Sequence, residues 1–387
     1  MRSVGHKLRS NFIARFLLVF FVSFVCASIM AGGTCFSATP IKIAMITAKT
    51  GDAGKSNAVS FDGARFAVKK INALGGILGQ PVELLEYDNL STPEGSAAAA
   101  RKAISDGAVA VIGCNWSSHS LAMAKVMQKA HVPMISHMST NEAVTRVGDY
   151  IFRACFTDSF QGKGLARFSR NQLKDRTAVI LVDESRAYSK GLAETFARAF
   201  KKHGGQILWQ GMYTSDSIPY DTLLDKVADL APDALFVPGG YADVAGFFGR
   251  ARDMNAKWHL LSADGVGIRL YEFMGNKAHG IYYSGHWSRW VNSELSRKFV
   301  REYEAENGHV NVDTLALVYD SFMVLREAIE RAGSVDGEKI RDALAATPGY
   351  EGVTGTIRFD ENGDPIKPMV INEFKFGGVL YLDQIHP

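Results

Sequence analysis

The segment GDAGKS (51–56) ends in the Gly54-Lys55-Ser56 triplet that closes a phosphate-binding loop. That loop needs a glycine five positions before Gly54, and Lys49 stands there, so the backbone nest that cradles phosphates is missing. No G-x-G-x-x-G follows a strand-like run, and neither a G-x-S-x-G elbow nor an H-E-x-x-H pair occurs. The histidines from His119 onward are scattered, without the i,i+4 helical spacing and third ligand of a metal site. The chain is therefore expected to be no enzyme and to carry neither a cofactor nor a metal. Two features suit binding instead. Ser117 and Ser118 follow the apolar run VAVIG (109–113) and precede a helical segment. A hydroxyl beside the free N–H groups of a helix N-terminus can hold a carboxylate, though an ordinary capping serine has the same pattern. Asp264 ends the run WHLLSAD (258–264), where a carboxylate can pair with an ammonium or simply end a strand.

The elements that carry these residues alternate. IKIAMIT (41–47), VELLEY (82–87), VAVIG (109–113) and VPMIS (132–136) read as strands. Between them lie a helix over 61–76, with Ala64, Ala67, Val68 and Ile71 on one face, and a second helix started by Thr92-Pro93-Glu94 and running through Ile104. A third helix runs to about Ala130. The rhythm restarts with strands at 177–183, 207–213, 234–238 and 258–262 and helices at 189–203, from about Tyr220, and at 242–254. Residues 313–332 predict a further helix, and TIRFD, VINEFKF and VLYLDQI predict a strand-rich end with a turn at Gly377-Gly378. Two strand–helix runs predict two α/β lobes, each a parallel sheet covered by helices.

The chain has 387 residues, 43 Lys+Arg and 40 Asp+Glu, a net charge of +3. This gives no reason to expect nucleic acid as a partner. The charge sits in a leader. Residues 1–15 carry Arg2, Lys7, Arg9 and Arg15 and no acid, the run FLLVFFVSFVCASIMA (16–31) is apolar, and small residues follow. That is the pattern of a secretory signal peptide over 1–38, cut after Ser37 or Ala38; an uncleaved anchor is the alternative. The apolar run falls short of the roughly 20 residues that span a bilayer. Gly33-Thr34 before Cys35 makes a poor lipobox, so no lipid anchor is expected. Without the leader, 39 basic residues face 40 acidic ones, a net charge of −1. Cys114 and Cys155 then remain, either as a disulfide or as two small buried apolar residues.

The stretch from Ile71 to Gly113, with its INALGGILG segment (71–79), Asp88, Pro93 and the VIG strand, resembles the leucine/isoleucine/valine-binding protein family, the type I periplasmic solute-binding proteins of ABC importers. PMIS-x-x-STN (133–141), Tyr188-Ser189-Lys190-Gly191, GGY (239–241) and DGVG (264–267) carry the resemblance to the second half. It implies two Rossmann-like lobes with parallel sheets joined by three crossover strands, near 157–160, 284–288 and 360–367. One lobe would comprise 39–158 plus 287–362, the other 159–286 plus 363–387. It further implies a periplasmic or secreted monomer that captures an amino acid, branched-chain or related, and delivers it to a permease in the inner membrane. A sensor for an amide, urea or aromatic acid on the same fold is the rival reading.

By the same resemblance, Ser117 binds the ligand's carboxylate, with Ser118 beside it a ligand-binding candidate from its place at the helix N-terminus, and Ser139 and Thr140 bind its carboxylate and ammonium. Asp264 takes the ammonium where the family usually has Glu, and Tyr188 and Tyr241 close on the ligand from the second lobe. Two positions depart from the family. Trp116 stands where leucine-type binders have a smaller residue, and Ser56 lies in the loop where they carry an aromatic. Trp287 and Trp290 are expected in hinge or core packing, and His119 and Asp243 on the surface.

Overall fold

A computed structural model describes residues 39–309 and 312–387. The expected signal peptide lies outside the described residues. Five strands, β1 (Ile41–Thr47), β2 (Val82–Asp88), β3 (Ala110–Gly113), β4 (Met134–Ser136) and β5 (Ile151–Arg153), form a parallel sheet in the order β2-β1-β3-β4-β5. A second sheet has the order β14-β13-β10-β9-β8-β6-β7. Its strands β6 (Thr177–Asp183), β7 (Gln206–Tyr213), β8 (Ala234–Phe236), β9 (His259–Ser262) and β10 (Ile281–Gly285) are parallel. β13 (Met369–Lys375) and β14 (Gly378–Ile385) add antiparallel at one edge. The expected fold class is found: two α/β lobes on parallel sheets.

Helices cover both faces of each sheet, which is why the strands are nearly continuous apolar runs. In the first lobe α1 (Gly54–Ala73) and the later helices α10 (Asp313–Ala332) and α11 (Gly337–Ala345) bury Phe61, Ala64, Ile71, Phe322 and Leu344 against one face. α2 (Pro93–Ser105) and α3 (Ser117–Ala130) close the other with Ala100, Met123 and Met127. In the second lobe α4 (Asp158–Phe168) and α5 (Ala187–Lys202) cover one face, and α6 (Tyr220–Leu230), α7 (Tyr241–Asp253) and α8 (Leu270–Met274) cover the other. α9 (Glu294–Asn307) packs Phe299 and Tyr303 on Phe66 and Trp287.

The chain leaves the first sheet after Arg153 and starts α4 at Asp158, leaves β10 after Gly285, and returns to the second sheet at Met369. Buried polar groups tie these crossings together. Lys367, in the last crossing, donates to Ala154 O at 3.0 Å in the first and to Thr354 Oγ1 at 2.6 Å, and burial pushes its ammonium down to about 8.

Four local expectations need correction. α1 begins at Gly54, not 61: Gly54 N bonds Gly51 O at 3.0 Å, so the chain turns directly into the helix. It ends at Ala73 because Gly76 takes a φ of 82°, and a Cβ there would lie 1.9 Å from Gln80 O. TIRFD is extended only over β12 (Gly355–Ile357), which pairs with β11 (Tyr350–Gly352); Gly363 and Pro365 turn the chain next. His119 and Asp243 are buried rather than superficial, at 2% and 6% exposure. Each lies in the first turn of a helix packed at the strand ends. Trp287 is buried and donates to Ser296 Oγ at 2.9 Å, whereas Trp290 is exposed.

β9, the strand that leads to Asp264, is anchored at its start by His259 Nδ1 on Asp175 Oδ1 at 2.6 Å. This bond raises the His259 pKa, with burial opposing. A histidine raised in the folded state adds stability below its unfolded value of about 6.5 and loses it as pH rises through the folded value. As pH rises above about 6.5, the melting temperature of the protein should fall more than that of His259→Gln. Parallel pH profiles for the two would refute this coupling.

Candidate functional site

Open parallel sheets bind ligands beyond the carboxyl ends of their strands, at the point where strand order reverses. In the first sheet that point lies between β1 and β3. Asn115, just past β3, accepts there from Thr47 Oγ1 at 2.6 Å, Ser60 Oγ at 3.2 Å and His137 Nε2 at 3.2 Å. His137 is fully buried, and burial pushes its imidazole down to about 3, so it is neutral. Gly113, the last residue of β3, has no room for a side chain, since a Cβ would lie 2.1 Å from Ile46 O on the neighbouring strand.

Ser117 is the first residue of α3 and is 4% exposed. Its N-cap position, Trp116, supplies no side-chain bond, so the first N–H groups of the helix are not capped from there. Ser118 follows, half-buried. Ser139 Oγ meets Ser120 Oγ at 2.7 Å and donates to Cys114 O at 3.1 Å, so its hydroxyl braces the β3 and β4 loops against each other. Thr140 is buried and its carbonyl accepts from Asp158 N at 2.8 Å. Cys114 and Cys155 are free buried thiols, raised by burial to about 11 and about 12.

Arg153, which sequence reasoning did not select, holds this loop. It is 0% exposed and donates to Ser139 O (2.7 Å), Asn141 O (2.9 Å), Thr145 Oγ1 (2.8 Å) and Asp364 Oδ1 (2.6 Å). A lone charge inside the apolar run IFRACF (151–156) was the available signal.

From the second lobe, Asp264 follows β9 and is 8% exposed. Its Oδ1 accepts from Gln161 Nε2 at 2.7 Å and Tyr188 Oη at 2.9 Å; its Oδ2 meets His286 Nε2 at 3.0 Å. Tyr188 Oη in turn accepts from Gly265 N at 3.2 Å. Burial and the Asp264 charge hold the Tyr188 hydroxyl well above its usual range, so it is a donor. His286, on the second crossing, stacks on Phe156 of the first with ring centres 3.9 Å apart, so the two crossings meet beside Asp264. Gln161 and His286 were not legible: each is polar beside apolar residues, with no motif around it.

The lobes meet around these groups. Asn141 of the first lobe donates to Ala187 O and Asp158 Oδ2, both at 3.1 Å, and its own N lies 3.4 Å from Ser117 Oγ. Ser159 N donates to Glu142 Oε1 at 2.8 Å. Arg186, ion-paired with Asp183, lies 4.9 Å over the Trp116 ring, and Lys55 pairs with Glu272 at 3.2 Å. Burial, followed by the charge of Glu142, pushes the Asp158 carboxyl well above the usual range.

The predicted residues thus divide. Ser117, Ser139, Thr140, Tyr188 and Asp264 fall along one line of contacts from α3 to β9. Trp116 lies under Arg186 at the junction of the lobes. Tyr241 starts α7, but its ring is covered by Arg269 at 4.4 Å and faces Phe273. Ser56 sits in the first turn of α1, its hydroxyl donating to Ala53 O at 2.8 Å. Among the described residues, no group of three His, Cys, Asp or Glu side chains is placed to hold a metal, and no helix is long and apolar enough to cross a membrane.

A family model described as periplasmic binding protein matches residues 40–378. The chain belongs to the periplasmic binding protein family. Its leucine/isoleucine/valine-binding branch supplies the relatives. The leucine-specific-binding protein of Salmonella typhimurium is 27% identical over 342 residues, 88% of this chain and 90% of that one. Among solved structures, the leucine binding protein LivK of Thermotoga maritima is 33% identical with a TM-score of 0.85, covering 90% of this chain and 99% of that one. LivJ of Streptococcus pneumoniae, solved with isoleucine, is 29% identical with a TM-score of 0.85, covering 90% and 100%. The two-lobed architecture and the resemblance read from INALGGILG, PMIS-x-x-STN and GGY agree with this family of solute-binding proteins.

Proposed function

We propose that this chain is an exported monomer that captures an amino acid, branched-chain or related, between its lobes and delivers it to an ABC permease. It performs no chemistry. The observation that carries the reading is the buried carboxylate of Asp264 in one lobe, joined by way of Tyr188, Ala187 and Asn141 to Ser117 at a helix N-terminus in the other. An acceptor for an ammonium and a donor set for a carboxylate are what a zwitterion needs from two lobes. We take 39–158 with 287–362 as one lobe and 159–286 with 363–387 as the other, with 1–38 as a cleaved signal peptide. Ligand contacts from both sides favour the closed arrangement, which the permease recognises.

A thermal-shift screen tests this. Leucine, isoleucine or valine at 100 times its dissociation constant should add about 2.7 kcal/mol to stability. A rise in melting temperature only with amides, urea or aromatic acids would overturn the amino-acid reading and favour the sensor.

A further inference from the structure

A groove of about 790 Å³ runs along the second lobe between α4 and α5, from Ser159 at the junction of the lobes to His203 at the far end of α5. Its walls carry Lys163 and Arg167 on α4 and Arg198 and Lys202 on α5, and the half-buried Phe160 contributes apolar surface above the core residue Ile385. All four cations are exposed. Each helix places its two cations four residues apart, where like charges repel. Only Arg198 has an acid partner, Glu194 at 3.4 Å; among the described residues the side chains of Lys163, Arg167 and Lys202 make no ion pair or hydrogen bond. Exposed cations elsewhere on the chain are of both kinds, paired as in Lys69–Glu306 and Lys102–Asp106 and, among the described residues, unpaired as in Lys125 and Lys226; here four stand around one groove. The groove therefore concentrates positive charge on a chain whose mature net charge is −1. Carboxylates placed between the four cations would relieve this repulsion.

We infer that this groove docks an acidic segment of a partner protein, with carboxylates on the four cations and an apolar side chain against Phe160. The geometry favours a segment over a lipid surface. The cations line two facing walls above a recessed apolar floor, which an extended or helical peptide can enter and a flat bilayer cannot. The inference does not depend on which solute the cleft holds.

The test uses the whole mature protein and a fluorescent peptide of about twelve residues repeating Glu-Glu-Leu, with Gln-Gln-Leu as control. Anisotropy should show binding of the acidic peptide only, weakened about tenfold or more by Lys163→Glu/Arg167→Glu and by raising salt from roughly 50 mM to 0.5 M. The variant should keep the parent's melting temperature and its leucine-induced shift. If it does not fold, Lys202→Glu alone must weaken peptide binding. No binding of the acidic peptide, equal binding by parent and variant, or charge-dependent binding to phosphatidylglycerol vesicles without peptide binding would each overturn the proposal.

Discussion

Replacing Arg153 with methionine should destabilise the protein by about 3 kcal/mol, the lower end of what is lost when one partner of a buried ion pair is removed. The guanidinium is wholly buried and makes four bonds. Methionine fills similar volume and donates nothing, so Ser139 O and Asn141 O lose a buried donor and Asp364 loses its shortest contact. The lower end applies because Asp364 keeps Arg146 at 3.0 Å and Thr145 Oγ1 at 2.8 Å. Ligand affinity should fall as well, since the same bonds fix the 139–141 loop. Urea unfolding at neutral pH measures the first effect and calorimetric titration with leucine the second. A stability loss below about 1 kcal/mol would show that the pair does not organise the loop.

Asp264→Asn should weaken binding of the preferred amino acid by about 2–5 kcal/mol, roughly thirtyfold to several-thousandfold. The substitution isolates charge from architecture. The oxygen of the introduced amide can still accept from Gln161 and Tyr188, as Asp264 Oδ1 does at 2.7 and 2.9 Å. His286 Nε2 faces the other oxygen at 3.0 Å, while its Nδ1 has no partner among the described residues. The proton can therefore reside on Nδ1, leaving Nε2 to accept from the amide nitrogen. The fold should survive with a melting temperature a few degrees below that of the parent, because a proton on Nδ1 is a buried N–H without an acceptor among the described residues, while an ammonium loses its counter-charge in a closed cleft. Affinity unchanged within a few-fold would remove Asp264 from the ligand's ammonium site.

These two residues differ in how they could be found. Asp264 stands at the end of a strand, before a glycine, in a segment whose resemblance to a known family points at it. Arg153 stands in a strand that otherwise reads as core, and nothing local says what a buried guanidinium would hold. Its partners lie 12 residues ahead in Asn141 and 211 residues on in Asp364. The same holds for Gln161, 103 positions from the carboxylate it contacts. Ser56 and Tyr241 show the converse. Their positions follow from the pattern, but the hydroxyl of one turns into its own helix and the ring of the other is taken up by Arg269.

Residue pattern alone specifies the elements and their order, because burial on both faces of a parallel sheet writes continuous apolar strands between amphipathic helices. β1, β6 and α10 fall at Ile41–Thr47, Thr177–Asp183 and Asp313–Ala332, the spans that apolar periodicity predicts. The pattern also marks which strand ends carry serine and aspartate. Which polar groups meet is settled only when the chain packs. Three crossings bring residues far apart in the chain to one buried place, and a hydrogen bond depends on distances of a few tenths of an ångström that no periodicity encodes. Thus the strand end that carries Asp264 is readable, whereas the Gln161, Tyr188 and His286 donors that surround it, and the Arg153 that braces the opposite loop, are set by how the two lobes come together.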